Sequence, residues 1–569
     1  MRPHDEATSS APKAPPRWLD WIARAGAPLL ALITAVVIVC RSHWHFFRPW
    51  AVPLSNDEGY ISALALRMLH GRWLPYVDGV SQRGPVLYWL TALAMKLGGE
   101  GSWLPIRWLA LVLGLVLHGL VFALAWELFG SFAAAVAMLF TAYFVNYELI
   151  PWDGLGLNGE VLAMCFVLGS LLLAARAQRL PEARRRPWWL GLSGALAALA
   201  GLSKQMSLIH VVPTVCWLAL GPEGAGPRSP GSRARDLGRY ALGFAAPYSA
   251  VLAVFAATGH LKEFVYYYQR YGREIFMAPL TREFMRDKLR EQFDRYFLGV
   301  AGFASVGILA LARALREALE ESVQARGAAA WAERARKRAG ALFAVAQFTL
   351  GCVGACFTFR FFGHYFLQVH PLAAVVAAYA VSERFEPLEA RRPGNVASAF
   401  VVVAGAAVLL GMSSSALTRQ VLNRRETDRW YQDPQTDPIV RYVLEKTRPT
   451  DTLFVWGFRA ETYLSSRRFP ASRFVYSVYP AGVVPWMTAT REEEERRQVP
   501  GARALLLEDL ERWRPELVVD AGRSMSGRYM YNYPMLRLYL DRHYCFMRYV
   551  DGEPVYRRRH GETCPPADY

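Results

Sequence analysis

Residues 188–220 read "WWLGLSGALAALAGLSKQMSLIHVVPTVCWLAL", an apolar stretch with a single lysine, Lys204, near its middle. Wholly helical, it would be about 50 Å long. That is too long for one crossing of a hydrocarbon core about 30 Å thick and too short for two full ones. Divided into two short helices, it joins apolar segments near 25–42, 104–129, 131–149, 159–178, 240–258, 296–313, 339–358, 365–382 and 395–412. The count is then about eleven spans, an odd number that sends the two ends of the chain to opposite sides of a membrane.

Composition agrees with a membrane protein carrying a soluble part: 53% of the 569 residues are hydrophobic, 13% aromatic and only 20% charged. The net charge of +17 points to nucleic acid, anionic lipid or cytoplasmic loops, and its distribution decides among them. "RLPEARRRP", "GPRSPGSRARDLGR", the Arg-rich stretch 313–338 and "ERFEPLEARRP" share one side with the N-terminus, which makes that side cytoplasmic and argues against a nucleic-acid partner. The first apolar segment lacks a small-residue cleavage site and reads as an uncleaved span behind a tail at 1–24. One basic loop, 259–295, falls on the exterior side. It reads either as an amphipathic helix on anionic lipid or as a cradle for a phosphate.

From about 416 the pattern changes. "DTLFVWGF", "SRFVYSV" and "ELVVDAG" are short β-type runs separated by helical stretches, and "FMRYVDGEPVYRRR" reads as a closing hairpin through Asp551 and Gly552. The expected fold is thus an α-helical polytopic membrane protein over 25–415 with a small exterior α/β domain over 416–569. Five of seven cysteines lie in or beside apolar segments, whereas Cys545 and Cys564 lie in the polar C-terminal region, where an oxidising compartment allows them to pair.

Two exterior loops, 43–103 and 146–160, carry acids. The first holds "LSNDEGYISAL", with Asp57 and Glu58 ahead of an apolar helical pattern over 58–70. Asn56 or Asp57 at the helix N-cap accounts for them structurally, at about 1 kcal/mol. The second, "YELIPWDGLGLNGE", holds Asp153 and Glu160, with Asn158 as a capping residue. A lysine in an apolar stretch costs roughly 2.5–3.5 kcal/mol on insertion, so Lys204 is a functional candidate as well as the mark of a turn. Arg360 and His364 in "FRFFGHYF" sit at another exterior junction, and Arg270 and Arg273 lie among the tyrosines of "YYYQRYGRE".

The order of these phrases resembles the integral-membrane glycosyltransferases of the C superfamily, which use polyprenyl-phosphate sugars, and in particular the protein O-mannosyltransferase and lipid A aminoarabinose transferase branch. The resemblance rests on the acidic pair, on Gly71 to Asp78, on Arg83 to Tyr88 where relatives have a lysine before Gly-Pro, on "GLSKQ" at Gly201 to Gln205, on "GHYF" at Gly363 to Phe366, and on Val455 to Tyr476. It implies an inverting transferase of hexosyl or pentosyl groups, with Asp57 or Glu58 as base. Asp153 and Glu160 would form an acceptor site. Lys204, Arg83, Arg360, His364, Arg270 and Arg273 would face the donor phosphate, and Tyr76, Asp78, Tyr88 and Gln205 would line the substrate tunnel. The partners implied are a polyprenyl-phosphate-linked sugar, a lipid, glycan or protein acceptor, and membrane lipid. No cofactor is required by such chemistry, and a divalent metal, Mg or Mn, is left open. The rival readings are a transporter or flippase for a lipid-linked or anionic precursor, and a non-catalytic scaffold. Acids clustered in exterior loops rather than at the midplane weigh against the transporter.

Overall fold

The computed structural model describes residues 26–44, 47, 56–149, 151–180, 185–220, 229–276, 281–292, 328–357, 360–389, 437–483, 490–561 and 564, with scattered positions within 301–316 and 404–408. The tail at 1–24 lies outside the described residues, as do most of the expected spans at 296–313 and 395–412.

The membrane part is a helical bundle. Leu104–Phe129, Gly159–Arg179, Pro230–Ala257 and Arg336–Cys356 are each long and apolar enough to cross a bilayer, and Pro28–Trp44, Ser131–Tyr147 and Gln205–Leu220 are shorter apolar helical stretches. The stretch at 188–220 does divide. An α-helix, Arg186–Ser203, stops at Lys204, whose backbone is extended, and a 3₁₀ turn, Gln205–His210, leads into Val211–Leu220. Small residues permit tight packing here: a side chain at Gly194 would collide with the Tyr240 carbonyl, and one at Gly243 with the backbone of Gly191. Arg186 and Asp236, both buried, pair across the same two helices.

The C-terminal region forms a five-stranded sheet: β1 Thr452–Gly457, β2 Phe469–Pro470, β3 Leu517–Ala521, β4 Tyr544–Val550 and β5 Glu553–Arg558. Their order is β2-β1-β3-β5-β4, with the first three parallel and the last two antiparallel. The closing hairpin turns at Asp551 and Gly552, both at positive φ, as a tight two-residue connection demands. Cys545 and Cys564 are disulfide-bonded, with Cα atoms 5.6 Å apart.

One β-type run does not become a strand. "SRFVYSV" is irregular backbone leading into the short helix Val478–Ala481, and the sheet edge is the two-residue β2 instead. Pro470 has no N–H for a ladder. Beyond it, the Arg473 carbonyl takes the N–H of Val80 from the membrane part at 3.0 Å. Of its aromatic side chains, Tyr476 stacks on both Tyr60 and Phe458, and Phe474 lies beside Tyr479.

Candidate active site

The helix Asn56–Leu69 begins two residues earlier than its apolar pattern, so Asn56, Asp57 and Glu58 lie in its first turn and neither Asn56 nor Asp57 is its N-cap. The two acids point to different surroundings. The Asp57 side chain is 26% exposed, with Oδ1 2.6 Å from Arg83 Nη2 and Oδ2 3.7 Å from His364 Nε2. Burial pushes the Asp57 carboxyl up, but Arg83, His364 and Lys204 outweigh it and hold its pKa below the ordinary carboxylate value. Glu58 is fully buried: its Oε1 accepts from Arg107 Nη1 at 2.5 Å and from the Leu157 N–H at 3.2 Å. It therefore braces the first acidic loop against the second and against the span Leu104–Phe129.

The second loop completes the cluster. Asn158 caps the helix Gly159–Arg179 through the N–H of Val161, and Glu160 stands in its first turn, as the capping reading has it. Glu160 Oε1 also meets Lys204 Nζ at 2.6 Å, so the cap and the ion pair coexist. The lysine ammonium lies 4.9 Å from the Tyr365 ring centroid. Asp153 Oδ1 meets His364 Nδ1 at 2.9 Å, and His364 thus bridges the acids of the two loops. Burial would lower the imidazole pKa, but Glu160, Asp153 and Asp57 raise it above the ordinary value and favour the charged form.

Several tunnel candidates work on the backbone instead. Tyr76 donates its hydroxyl to the Arg83 carbonyl at 2.8 Å, and Gln205 donates to the carbonyls of Gln82 and Tyr268 at 2.6 and 2.8 Å. Tyr88 shares a hydrogen bond with Ser81, whose Oγ accepts from the Arg83 N–H. Together these clamp the turn that aims Arg83. Gly84 lies against the backbone of Leu202, where a side chain would collide, so this turn abuts the helix end that carries Lys204. Asp78 accepts from the N–H groups of Arg72 and Leu74 and closes its own loop, apart from the cluster. Arg360 is buried within electrostatic reach of Tyr365 and Tyr271. Arg270 and Arg273 are exposed on the π-helix Val265–Phe276.

Sequence reasoning passed over Arg107 and Tyr476. Arg107 had a signal, a charge four residues into an apolar span. Tyr476 ends one of the quoted phrases, but its partner Asn56 lies hundreds of residues away. Among the described residues, no group of three or more His, Cys, Asp or Glu is arranged to hold a metal ion.

Residues 82–228 match the family model for dolichyl-phosphate-mannose-protein mannosyltransferases. Among solved structures the chain is similar to ArnT from Cupriavidus metallidurans bound to undecaprenyl phosphate, at 14% identity and a TM-score of 0.51, covering 93% of this chain and 98% of that one. The apo form of ArnT gives 15% identity, a TM-score of 0.51 and coverage of 93% and 97%. AglB, the oligosaccharyltransferase of Archaeoglobus fulgidus in complex with an inhibitory peptide and a dolichol-phosphate, gives 16% identity, a TM-score of 0.45 and coverage of 95% and 75%. No curated protein matches the sequence. At these identities the likeness to ArnT is one of fold. The family match covers residues 82–228, and across nearly the whole chain the similarity is to the fold of ArnT.

Proposed function

We propose that the protein transfers a sugar, hexosyl or pentosyl, from a polyprenyl-phosphate carrier to a lipid, glycan or protein acceptor at the exterior face of a bacterial inner membrane. In this reading the N-terminus is cytoplasmic and the α/β region exterior. The observation that carries it is the cluster itself: a part-exposed carboxylate, Asp57, 2.6 Å from Arg83 and 3.7 Å from His364, with the Lys204 and Glu160 pair in the same electrostatic neighbourhood. A base and several cations in one place match what glycosyl transfer from a lipid phosphate needs.

Asp57 takes the proton of the acceptor group. The acceptor atom attacks the sugar carbon from the face opposite the phosphate, the bond from that carbon to the phosphate oxygen breaks, and the polyprenyl phosphate leaves with the electron pair. Arg83 and Lys204 hold the charge that develops on it, and His364, fixed by Asp153, adds a third positive group. One displacement inverts the sugar carbon. Glu58 positions the turn rather than taking the proton, since it is fully buried against Arg107. Arg83 presents a guanidinium where relatives have lysine, and such a fork grips a phosphate through two oxygens rather than as a point charge. The divalent metal stays optional in this scheme, to be tested by chelation.

Transfer from radiolabelled undecaprenyl-phosphate-linked sugars in membranes tests the reading. Asp57→Asn is expected to abolish transfer while the protein still accumulates. Full transfer by that variant removes the assignment of the base, and wild-type membranes that move the labelled lipid across the bilayer without sugar transfer favour the flippase.

A further inference from the structure

The C-terminal region reaches the turn that carries Asp57. Tyr476, 5% exposed, donates its phenol hydroxyl to the main-chain carbonyl of Asn56. Its ring stacks between Tyr60, with centroids 4.3 Å apart at 17°, and Phe458, 3.9 Å apart at 15°. Phe458 follows β1, and its N–H is held by Ser524 Oγ at 2.7 Å. Further along the helix, a Cβ added at Gly59 would lie 2.7 Å from the Glu461 nitrogen, and Arg67 Nη1 donates to the Pro470 carbonyl at 2.6 Å. The sheet region therefore grips this helix at its first turn, on its flank and near its end.

Docking alone is served by the ring stack and by the close approach at Gly59. The hydroxyl does something else. A carbonyl in the first helical turn ordinarily accepts the N–H one turn ahead, and here a second donor is added at the one peptide that joins Asn56 to Asp57. Burial and the nearby Asp57 and Glu461 carboxylates keep the phenol protonated, hence a donor.

We propose that Tyr476 is a positioning residue for Asp57: by holding the Asn56 carbonyl it sets the first helical turn, and so the Asp57 carboxylate, between Arg83 and His364. The C-terminal region is then part of the catalytic apparatus. This rests on Asp57 being the base. The charged groups facing Asp57 are Arg83, His364 and Lys204, and those facing Tyr476 are Asp57, Glu461 and Arg83.

The test uses the full chain in membranes, with whichever labelled undecaprenyl-phosphate sugar the wild type transfers. Tyr476→Phe keeps the ring stack and removes only the hydroxyl. Turnover at saturating donor is expected to fall about tenfold, with an unchanged unfolding midpoint. The acid limb of the pH profile should move to higher pH, because a loosened Asp57 sits less closely on Arg83. Phe458→Leu, which leaves the hydroxyl in place, should keep the acid limb where it is. Wild-type turnover and acid limb in Tyr476→Phe, with Asp57→Asn inactive, would show that Tyr476 only packs the domain. A Tyr476→Phe chain that does not accumulate also overturns the proposal, since the hydroxyl would then serve folding. Activity in Asp57→Asn is a separate failure, of the base itself.

Discussion

Asp57 and Glu58 differ by one methylene and one position, yet the Asp57 side chain keeps 26% of its exposure and that of Glu58 keeps none. Successive residues of a helix point about 100° apart, so in the same turn one acid faces the opening and the other the bundle. Each has an arginine. Arg83, on a clamped loop, keeps 12% exposure beside Asp57, whereas Arg107, inside a span, keeps 2% beside Glu58. The first pair is accessible to exchange partners with an incoming phosphate or hydroxyl. The second is sealed, and its members hold loops and span together. Charge and adjacency are the same, and access is what separates the two.

The comparison breaks most readily at Asp57. Asp57→Asn should lower transfer by about 10²–10⁴-fold, the range of a lost general base, with the yield of folded protein unchanged. Glu58→Ala should do the reverse in kind. Removing the carboxylate from beside the buried Arg107 costs about 3–5 kcal/mol, read as a lowered unfolding temperature in detergent and poor accumulation, with losses of activity that follow the losses of protein. A Glu58→Ala protein that is stable but inactive would return Glu58 to the chemistry.

The Glu160–Lys204 pair lies between these two, with 1% and 13% exposure. Lys204→Met alone strands Glu160. The double variant with Glu160→Gln should restore accumulation yet stay about 10²-fold slow in transfer, the cost of one lost charge-stabilising group. Recovery of full turnover in the double variant would make this pair structural, like the one at Glu58.

The smallest expected effect is in pH. The pKa of Asp57 is depressed in the folded protein, so its contribution is present above the unfolded value, about 3.9, and is lost as pH falls through the lower folded value. Arg83→Gln should move the acid limb of turnover up towards that ordinary value. His364 is shifted the other way. Its charge contributes fully below about 6.5 and is lost as pH rises through the higher folded value, so Asp153→Asn should bring the alkaline limb down. Titration of turnover in the two variants checks both directions.

Much of the bundle was legible because a membrane span announces itself in composition over about 20 residues. The break at Lys204 was legible because a charge inside an apolar run is costly. The hairpin at Asp551 and Gly552 was legible because few residues tolerate positive φ. "SRFVYSV" reads as a strand but is irregular backbone whose aromatic residues pack on both regions, and local pattern does not say which surface an apolar residue covers. The acids and cations of the site were visible as separate candidates, but Asp78 reads like them and only closes a loop. Arg270 and Arg273 read as phosphate ligands, and both are exposed.

The sequence alone determined that the chain is a multi-span helical protein with an α/β end, and that unusual charges sit at the helix junctions, since insertion cost and backbone propensity act over short stretches of chain. Only the tertiary structure decided which charge meets which. Pairing Asp57 with Arg83, Glu58 with Arg107 and Tyr476 with Asn56 depends on how distant segments are brought together. The energy of a buried or half-buried charge is set by neighbours in space, whose identity no local stretch of sequence contains.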